Sequence, residues 1–555
     1  MFGQLLLKFG RAPHAAVTPI DLTPITVFVG PNNSGKSRIL TEIDEFCTNG
    51  PMGNALILDS LRLTGRTEEQ AEELLASVIS PPNPGEPHQL GHVYVSSRRG
   101  RTQLPHKQLR TMVQAPESSI VGYCQWFLRH VILKLDGKSR IDLISPQSSG
   151  DLQQPPHMIF QFLFRDNAKR EEVRRIIKDA FGSYFVIDPT NIGFFRIRLS
   201  RRPPVDELEE RGLHEAAVQF HAAAQPIELA SDGVKAFTGI ITEVIAGDPK
   251  ILLIDEPEAF LHPSLAFNLG YELSRAALNT DKRVFVSTHS PTFVMGCIQS
   301  GAPVNIVRLT YRDGVATARV LPSADLLRLM RNPLLRSTGV LSVLFYEFVV
   351  VTESDTDRAF YQEINERLLR FKPEWGIPNC LFLHAQNKQT VQIIMRPLRE
   401  LGIPTAAIVD IDVLKEGGAP WANLLSASSI PPITHPSLAT LRTSVMQAFT
   451  SSGKNMKRDG GVEALVGAER EATQNLLQSL AEYGVFVVPG GELESWVKAL
   501  GVGGHGPGWL IPVFESMGED PESPSFLRPG NDDVWAFLGS VRSWLMDPNR
   551  KGIPA

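Results

Sequence analysis

Short apolar runs that end in polar or acidic residues recur along the chain and set its predicted architecture. Ile25–Val29 precedes a Gly-rich stretch, and Ile251–Ile254 precedes two acids. Unbroken runs of this length are typical of strands buried on both faces of a parallel sheet. Similar runs occur at 283–287, 347–352, 381–384, 405–409 and 484–488. Segments with helical signals lie between them, at 68–78, 169–181, 264–278 and 357–369. The pattern therefore predicts an α/β protein with parallel sheets.

The chain is too long for one hydrophobic core. With 555 residues we expect roughly two to four domains. The motif-rich segments predict a first domain at 1–325 and a second at 345–555, with a connecting helix or linker at 326–344. Within the first domain, about 60–220 is long, mixed and rich in Pro and Gly, and it is predicted to form an inserted helical and irregular lobe.

The segment GPNNSGKS follows the apolar run Ile25–Val29 and fits the pattern G-x-x-x-x-G-K-[ST] in full. In such a loop, backbone N–H groups curl around phosphate oxygens at the positive end of the following helix. Lys36 would place its charge on the β- and γ-phosphates, and Ser37 would offer a hydroxyl to Mg²⁺. A Gly- and Asn-rich turn before a helix is the alternative, and the preceding strand argues against it. The predicted ATP contacts are Gly30, Asn32, Asn33, Ser34, Gly35, Lys36, Ser37 and Arg38.

Two acids at the end of Ile251–Ile254 predict the second half of an ATP site. Asp255 would hold Mg²⁺ together with Ser37, and Glu256 would position and deprotonate the attacking water. The next predicted strand ends at His289, whose imidazole could reach a γ-phosphate. Alone, such a histidine would more often pack or cap a helix, but its place after the two acids favours a catalytic role.

Ser231 and Gly233 begin a helical run shortly before Asp255, and such a helix start can bind an anion. The order of the four motifs resembles the ATP-binding-cassette (ABC) ATPases, particularly their SMC-like and OLD-family branch, over roughly residues 1–320. The segment ASDGVK stands where that family has an LSGGQ-type signature, and Gln161 is the candidate for its Q-loop glutamine.

This resemblance implies a homodimer or higher homo-oligomer. ATP would lie between Lys36 of one chain and Ser231 and Gly233 of the other. The lobe at 60–220 would then be a candidate dimerisation region.

Carboxylates recur after three of the predicted parallel strands, at the edge where open α/β sheets place their sites. They repel one another unless a cation lies among them, and oxygen ligands of this kind suit Mg²⁺ or Mn²⁺. Taken singly, Asp357 could instead cap a helix and Glu492 could be a solvated loop acid. The predicted metal ligands are Glu353, Asp357, Asp410, Asp412, Glu492 and Glu494, besides Ser37 and Asp255 at the ATP site.

The spacing E-x-x-x-D from Glu353, followed by D-x-D from Asp410, resembles the Toprim domain over about residues 345–500. An ABC-type ATPase domain followed by a Toprim domain resembles the OLD-family endonucleases, including the Gabija-type nuclease subunit of bacterial phage defence. By this resemblance Glu353 is a general base or metal ligand, and Asp410 and Asp412 are catalytic metal ligands. Asp357, with Glu494 or Glu492, would complete the sites.

The second domain departs from that family at two points. Ser354 stands where the first Toprim motif often has Gly. The family also uses a downstream lysine, for which Lys498 and Lys551 are the candidates, while Asn531 stands where a cation could be expected. Loss of one such electrostatic contact would weaken catalysis by about 2.7–4 kcal/mol.

Composition and charge limit the partners. The chain is 43% hydrophobic and 21% charged with a net charge of −5, which excludes a globally basic protein that coats nucleic acid and leaves room for local basic patches. Each patch could equally be solvated surface charge. The candidates are Arg98, Arg99 and Arg101, and Arg196, Arg198, Arg201 and Arg202.

The four cysteines form no C-x-x-C pair, which argues against a zinc site and against disulfides and favours a reducing compartment. No apolar run reaches the length of a membrane span, and the first residues lack a signal-peptide pattern. We therefore expect a cytoplasmic protein without a membrane partner.

These observations favour an ATP-hydrolysing, metal-dependent endonuclease whose ATPase dimer gates cleavage. The family resemblance favours DNA over RNA, a role in anti-phage defence and a partner defence protein. Two alternatives stay open: an ATPase switch or scaffold with a second domain that does not cut, and a tRNA-directed nuclease. A topoisomerase is disfavoured because tyrosine is scarce, at eight residues, and little chain remains for a strand-passage domain.

Overall fold

The computed structural model of the protein describes residues 2–13, 15–82, 85–97, 100–153, 156, 158–247, 249–278, 280–337 and 339–554. The chain forms two compact units, unit 1 at Met1–Leu327 and unit 2 at Arg328–Ala555. Both units combine parallel strands with helices, which confirms the predicted α/β class.

Unit 1 is built from many short elements. Its described strands are β1 (Phe2–Leu7), β2 (Ile20–Asp21), β3 (Ile25–Val29), β4 (Leu58–Leu63), β5 (Ile79–Ser80), β6 (His92–Ser97), β7 (Gly100–Pro105), β8 (Ile132–Leu135), β9 (Gln147–Ser148), β10 (Tyr184–Asp188), β11 (Phe194–Ser200), β12 (Gln225–Pro226), β13 (Ile251–Asp255), β14 (Arg283–Ser287), β15 (Val304–Arg312) and β16 (Val315–Leu321). Its described α-helices are α1 (Lys36–Asn49), α2 (Glu68–Ala76), α3 (His106–Gln114), α4 (Ile120–Tyr123), α5 (Arg129–Val131), α6 (Ser139–Asp142), α7 (Ile159–Arg165), α8 (Asn167–Phe181), α9 (Glu207–Arg211), α10 (Glu215–Ala223), α11 (Asp232–Ala246), α12 (Pro263–Leu278) and α13 (Pro291–Gln299). The helix α14 (Ser323–Arg331) contains the boundary between the units.

One sheet of unit 1 carries the predicted ATP motifs. Its described strands follow the order β16–β15–β3–β14–β13–β8, and all pairs are parallel except β15 with β16. Every residue of β3 and the first four of β13 are buried, as expected for strands covered on both faces. Burying an aliphatic side chain of this kind contributes about 1.5–3 kcal/mol. The sheet is therefore a rigid support for the loops that follow β3, β13 and β14.

Residues 60–220 differ from the predicted single inserted lobe of helical and irregular structure. Within this range β8 belongs to the main sheet, where it pairs with β13. The range also contains the antiparallel sheet β5–β6–β7 and the antiparallel pair of β10 and β11. A four-residue strand such as β8 carries too little periodicity to stand out in a mixed segment.

Unit 2 is organised around one parallel sheet. Its described strands are β17 (Phe348–Thr352), β18 (Cys380–His384), β19 (Thr405–Val409) and β20 (Val485–Val487), in the order β18–β17–β19–β20. Its described α-helices after α14 are α15 (Pro333–Ser337), α16 (Asp355–Phe371), α17 (Val391–Glu400), α18 (Gly418–Ala427), α19 (His435–Ser452), α20 (Gly467–Ala481), α21 (Pro507–Met517) and α22 (Asp533–Met546). Because all three strand pairs are parallel, the carboxyl ends of the strands lie at one edge. None of the helices in the described parts of either unit is long and apolar enough to span a membrane.

Arg399 is a fully buried cation in unit 2. Its guanidinium donates to the carbonyl oxygens of Thr405, Ser428 and Gly552 at 2.9–3.0 Å, and to that of Gly484 at 3.3 Å. Burial lowers the pKa of Arg399 to about 9. The arginine thus fastens the residues before β20 and the segment around Gly552 to the start of β19.

Candidate functional site

The Gly-rich loop of unit 1 has a backbone that only glycine accommodates at two positions. Gly30 and Gly35 have φ values of 146° and 95°. A Cβ atom on Gly30 would lie 2.1 Å from the carbonyl oxygen of Leu309, which is far inside contact distance. The loop therefore turns sharply from β3 into α1, and the helix start follows directly after Gly35.

Lys36 lies buried beneath this loop with 4% of its surface exposed. Its Nζ donates hydrogen bonds to the carbonyl oxygens of Gly30 at 2.9 Å and Pro31 at 2.7 Å. Burial lowers its pKa to about 8, although nearby carboxylates, chiefly Glu256, oppose this shift. To bind phosphate, Nζ would exchange these two carbonyl oxygens for phosphate oxygens.

Ser37 and Asp255 meet at the carboxyl edge of the sheet. Ser37 Oγ donates to Asp255 Oδ1 at 2.9 Å, and Ser287 Oγ donates to the same oxygen. In the register of β13 and β14, Asp255 stands opposite Ser287. A hydroxyl and a carboxylate are the hard oxygen donors that suit Mg²⁺, so this pair fits the ion that accompanies ATP.

Glu256 and His289 lie together at the ends of β13 and β14. His289 Nε2 is 3.6 Å from Glu256 Oε1. Glu256 has φ of 49°, unusual for a residue with a side chain, and its N–H donates to the carbonyl oxygen of Ser287 at 2.8 Å. Burial, with the charge of Lys36, lowers the pKa of His289 and favours its neutral form. A carboxylate beside a neutral imidazole can hold and deprotonate a water molecule.

Glu258 belongs to this site and was missed by sequence reasoning. Its Oε1 accepts hydrogen bonds from Thr288 Oγ1 and from the N–H of His289, both at 2.8 Å. Burial raises the pKa of Glu258. The only sequence signal was a third acid two positions after Glu256, which a solvated turn would also produce.

The side chains of Arg38 and Gln161 make contacts within unit 1. Arg38 Nε pairs with Glu42 at 2.9 Å, and Glu42 in turn accepts three backbone N–H groups from 56–58. Gln161 Oε1 accepts the N–H of Met158 at 3.3 Å, and its Nε2 donates to the carbonyl oxygen of Ser148 at 3.0 Å. Gln161 therefore fixes the start of α7. The predicted ATP contact of Arg38 and the predicted Q-loop role of Gln161 stay predictions.

The predicted signature residues lie at the start of α11. Ser231 is the exposed N-cap of this helix, whereas Gly233 is buried. A Cβ atom on Gly233 would lie 2.6 Å from the carbonyl oxygen of Phe260, so a glycine is needed here for packing within the chain.

In the P-loop, Asn32 and Asn33 are exposed and Ser34 is buried.

The predicted basic patches are largely neutralised within unit 1. Arg98 and Arg99 lie outside the described residues, and Arg201 is exposed. The other arginines pair with acids at 2.6–2.8 Å, and Asp188 is wholly buried between two of them. The pairs are Arg101–Glu86, Arg196–Asp188, Arg198–Asp188 and Arg202–Glu209. These pairs reduce the net positive charge of both candidate patches in the part of unit 1 that the structure describes.

Three of the predicted acids in unit 2 form one compact group. Glu353 follows β17, and Asp410 and Asp412 follow β19, the neighbouring strand. One carboxylate oxygen from each lies within 4.8 Å of the others. Glu353 Oε1 also accepts the N–H of Asp410 at 2.9 Å, which fixes the two strand ends together.

The electrostatics of this acidic group favour a cation. Burial, reinforced by the neighbouring acids, raises the pKa of Glu353 to about 8. Burial also raises the pKa of Asp410 to about 7, although Lys457 opposes the shift. Asp412 Oδ1 is shielded from solvent and accepts no hydrogen bond from the residues that the structure describes. The all-oxygen donor set and this open acceptor fit Mg²⁺ or Mn²⁺.

Two lysines approach the acidic group, and neither was predicted. Lys457 Nζ lies 2.8 Å from Asp410 Oδ2 and 3.7 Å from Glu492 Oε2. Lys388 Nζ lies 3.0 Å from Asp412 Oδ2 and 3.3 Å from Glu416 Oε1. They come from the loop between α19 and α20 and from the segment after β18, so no fixed spacing to the acids could reveal them.

The two lysines that the sequence offered lie elsewhere. Lys551 pairs with the exposed Glu482 at 2.7 Å, and Lys498 is close enough to Asp533 to affect its pKa. Neither contacts the acidic group among the described ion pairs, so these predictions are wrong.

Glu492 and Glu494 form a second group with His505, with ligand atoms again within 4.8 Å. His505 Nδ1 and the N–H of Gly506 both lie 2.7 Å from Glu494 Oε1. Asp357 lies outside both groups. Its Oδ2 accepts the N–H of Ser354 at 2.8 Å and caps α16, and its charge contributes to the raised pKa values of Glu353 and Asp410. Its role as a metal ligand stays a prediction.

Comparison with known proteins bears on unit 1. Residues 166–295 match the model of a family described as "AAA domain, putative AbiEii toxin, Type IV TA system". This segment contains Ser231, Gly233, Asp255, Glu256 and His289. The match supports an ABC-like P-loop ATPase that uses ATP. None of the curated proteins matches the chain.

Several solved structures resemble the chain at low sequence identity. One is an SMC head bound to the C-winged helix domain of ScpA, with 14% identity and a TM-score of 0.33 over 59% of this chain and 99% of that chain. Another is the SMC head domain from Thermotoga maritima, with 16% identity and a TM-score of 0.29 over 58% and 98%. A third is cbiO1 from Clostridium perfringens, part of an ABC transporter complex, with 15% identity and a TM-score of 0.26 over 61% and 98%. The assignment of an ATPase rests on the family match and the motifs of unit 1.

Proposed function

We propose that the protein is an ATP-hydrolysing, Mg²⁺- or Mn²⁺-dependent endonuclease in which ATP bound to unit 1 gates cleavage of nucleic acid by a Toprim-type unit 2. The observation that carries this proposal is the group of Glu353, Asp410 and Asp412, whose oxygens lie within 4.8 Å of one another at the ends of adjacent parallel strands. Carboxylates arranged in this way hold metal ions that activate water and stabilise the leaving oxygen of a phosphodiester.

In unit 1, Lys36 would bind the phosphates of ATP, and Ser37 with Asp255 would hold its Mg²⁺. Glu256 would take a proton from the attacking water, and His289 would lie beside the γ-phosphate. Two distances support these roles: the 2.9 Å contact of Ser37 Oγ with Asp255 Oδ1, and the 3.6 Å between His289 Nε2 and Glu256 Oε1.

In unit 2, Glu353, Asp410 and Asp412 would hold the metal. Lys457 would supply the positive charge for which the sequence had suggested Lys498 or Lys551. Its Nζ already contacts Asp410, so it is placed to contact a scissile phosphate held by the same metal.

The proposal includes a homodimer or higher homo-oligomer in the cytoplasm, with Ser231 and Gly233 of one chain facing the ATP of its partner. The exposure of Ser231 at the start of α11 supports this arrangement. A role in anti-phage defence is part of the proposal and rests on the resemblance of the motifs to the OLD family. DNA is the proposed substrate.

The test is a cleavage assay. The purified full-length protein is incubated with plasmid DNA and with total tRNA, each with Mg²⁺ or Mn²⁺, with and without ATP. We expect cleavage of DNA that requires metal, is lost in the double variant Asp410→Asn/Asp412→Asn, and is altered by Lys36→Ala. Glu482→Gln, which changes an exposed acid of unit 2, is the matched control and should cut normally. Metal-independent cleavage, or cleavage unaffected by the double variant, would contradict the proposal.

A second candidate is an ATPase switch or scaffold whose unit 2 does not cut. The contacts of Lys457 and Lys388 favour it, because these lysines neutralise the acids without a metal. The two candidates differ in cells that carry the protein and are challenged with phage. A scaffold keeps its protective effect in the double variant, whereas a nuclease loses it.

A further inference from the structure

We infer that Glu258 is a positioning residue for ATP hydrolysis, which holds His289 in place against Glu256. The inference concerns unit 1 alone and does not depend on the nuclease activity proposed for unit 2. It rests on the contacts that Glu258 makes across the gap between the loops that follow β13 and β14.

One carboxylate oxygen of Glu258 holds the loop that carries His289 at two points. Oε1 accepts the hydroxyl of Thr288 and the backbone N–H of His289, both at 2.8 Å. Thr288 is fully buried, and Glu258 Oε2 is shielded from solvent. The bond from Thr288 is therefore partly buried, whereas the bond from His289 lies nearer the surface.

The same two loops are joined again through Glu256. Its N–H donates to the carbonyl oxygen of Ser287 at 2.8 Å, and its carbonyl oxygen accepts the N–H of Ala259 at 3.0 Å. Glu256 has a positive φ of 49°, a conformation that persists only where neighbouring contacts enforce it. The backbone of the turn is closed by a hydrogen bond from the N–H of Leu261 to the carbonyl oxygen of Glu258 at 2.9 Å, which directs the Glu258 side chain toward the loop after β14.

These contacts leave His289 Nε2 3.6 Å from Glu256 Oε1. If Glu258 is removed, the backbone at His289 loses its acceptor and the imidazole can move away from Glu256. A displacement of about 1 Å can cost about 100-fold in rate when the groups must be aligned in the transition state. Binding of ATP through Lys36 and the P-loop would be little affected, since those contacts come from β3 and α1.

Steady-state ATP hydrolysis by the full-length protein tests the inference. Glu258→Ala should lower kcat by about 10-fold or more, with KM for ATP changed by less than about 3-fold. Glu258→Gln keeps an oxygen acceptor at the position of Oε1 and should restore most of kcat. Glu272→Ala, which removes a glutamate paired with Arg175 at the surface, is the matched control and should hydrolyse ATP normally.

A double-mutant cycle with His289→Ala separates positioning from general support of the fold. If Glu258 acts through His289, the double variant should be no slower than His289→Ala by more than about 2-fold. Thr288→Val removes one of the two hydrogen bonds to Glu258, together with the acceptor of the Ser290 N–H, and should lower kcat in the same direction. The inference is overturned if the effects of Glu258→Ala and His289→Ala multiply, if KM rises as much as kcat falls, or if Thr288→Val and Glu258→Ala both leave kcat unchanged.

Discussion

Ser37 Oγ donates a hydrogen bond to Asp255 Oδ1 at 2.9 Å across 218 positions of sequence. The contact joins the first turn of α1 to the end of β13, and Ser287 supports it from the end of β14. Three chain segments therefore meet at the place proposed for the Mg²⁺ of ATP, and the parallel register of β13 and β14 sets Asp255 opposite Ser287.

Asp255→Asn should uncouple ATP binding from Mg²⁺. A neutral amide at this position weakens the hard-oxygen site, so we expect hydrolysis to fall by about 100-fold or more. Titration of a fluorescent ATP analogue should show normal affinity without Mg²⁺ and loss of the increase that Mg²⁺ gives to the wild type. Asp281→Asn, at an exposed acid paired with Arg66, is the control. Equal Mg²⁺ dependence in Asp255→Asn and the wild type would contradict the assignment.

Glu256→Gln should trap bound ATP. The substitution removes the base but keeps the size of the side chain and its backbone contacts. Loss of a general base typically costs about 10²–10⁴-fold in rate. We expect single-turnover hydrolysis to slow by this amount while ATP affinity stays within about 3-fold of the wild type, as for loss of a contact made in the transition state. If the protein forms the proposed homodimer, size-exclusion chromatography with ATP should show more dimer for this variant than for the wild type.

Lys457→Met should strengthen metal binding by unit 2. The lysine charge, 2.8 Å from Asp410, competes with a divalent cation for the same carboxylates. Its removal should lower the dissociation constant for Mn²⁺ by about 10-fold in isothermal titration calorimetry, equivalent to about 1.4 kcal/mol. Lys454→Met is the control, because Lys454 Nζ donates to the carbonyl oxygen of Ala464 instead. Weaker Mn²⁺ binding in Lys457→Met would show that the lysine supports the metal site by organising it.

The stability of metal-free unit 2 should fall as pH rises from about 4 to about 8. The pKa of Glu353 is raised from 4.5 to about 8 and that of Asp410 from 3.8 to about 7. In this window the folded state retains protons that the unfolded chain has released. The free energy of unfolding then decreases with pH by at most about 1.4 kcal/mol per unit for one group.

Denaturant unfolding in EDTA, followed by tryptophan fluorescence, measures this slope. The signal reports mainly on unit 2, because Trp126 is the one tryptophan in the sequence of unit 1. Glu353→Gln, which can still accept the N–H of Asp410, should flatten the slope. Addition of Mn²⁺ at pH 8 should restore stability, since a cation favours the ionised carboxylates. A slope of the opposite sign would show that the acids are not buried as a group.

Arg399→Met should destabilise unit 2 strongly. The substitution keeps the volume of the aliphatic stem but removes the donors for four carbonyl oxygens, of which that of Gly484 retains the N–H of Ala407. Leaving such acceptors unpaired costs about 1–3 kcal/mol each before relaxation, so we expect a loss of about 3–5 kcal/mol in total. Thermal unfolding should show a lower transition for unit 2 and an unchanged one for unit 1. Arg370→Met, which removes an exposed arginine of unit 2, should leave both transitions unchanged.

Much of the site could be predicted because its parts are encoded locally. The P-loop is one continuous segment, and the two acids after β13 follow a run of buried aliphatic residues. The group of Glu353, Asp410 and Asp412 could also be predicted, because the carboxyl ends of neighbouring parallel strands meet at one edge of a sheet. Asp357 also caps its own helix, a contact that the strand pattern does not reveal.

The contacts that sequence reasoning missed or misread depend on long-range packing. Lys457 and Lys388 reach the acids from separate loops, and Glu258 reaches a loop 30 positions away. From the sequence, Arg196 and Arg198 were candidates for a basic surface patch. They lie two positions apart on β11, so strand periodicity directs both to one face, where the buried Asp188 binds them. A cluster of like charges in a sequence does not reveal the acid that neutralises it.

The lysines at the acidic edge also bear on how unit 2 reaches its folded state. Lys457 and Lys388 each contact two carboxylates, so two lysine side chains neutralise the acids near the end of β19. If unit 2 binds a metal as proposed, these lysines would allow its sheet to close before a divalent ion arrives, unlike small metal domains that fold only when loaded. The supply of Mg²⁺ or Mn²⁺ would then control the activity of the folded molecules and not their yield.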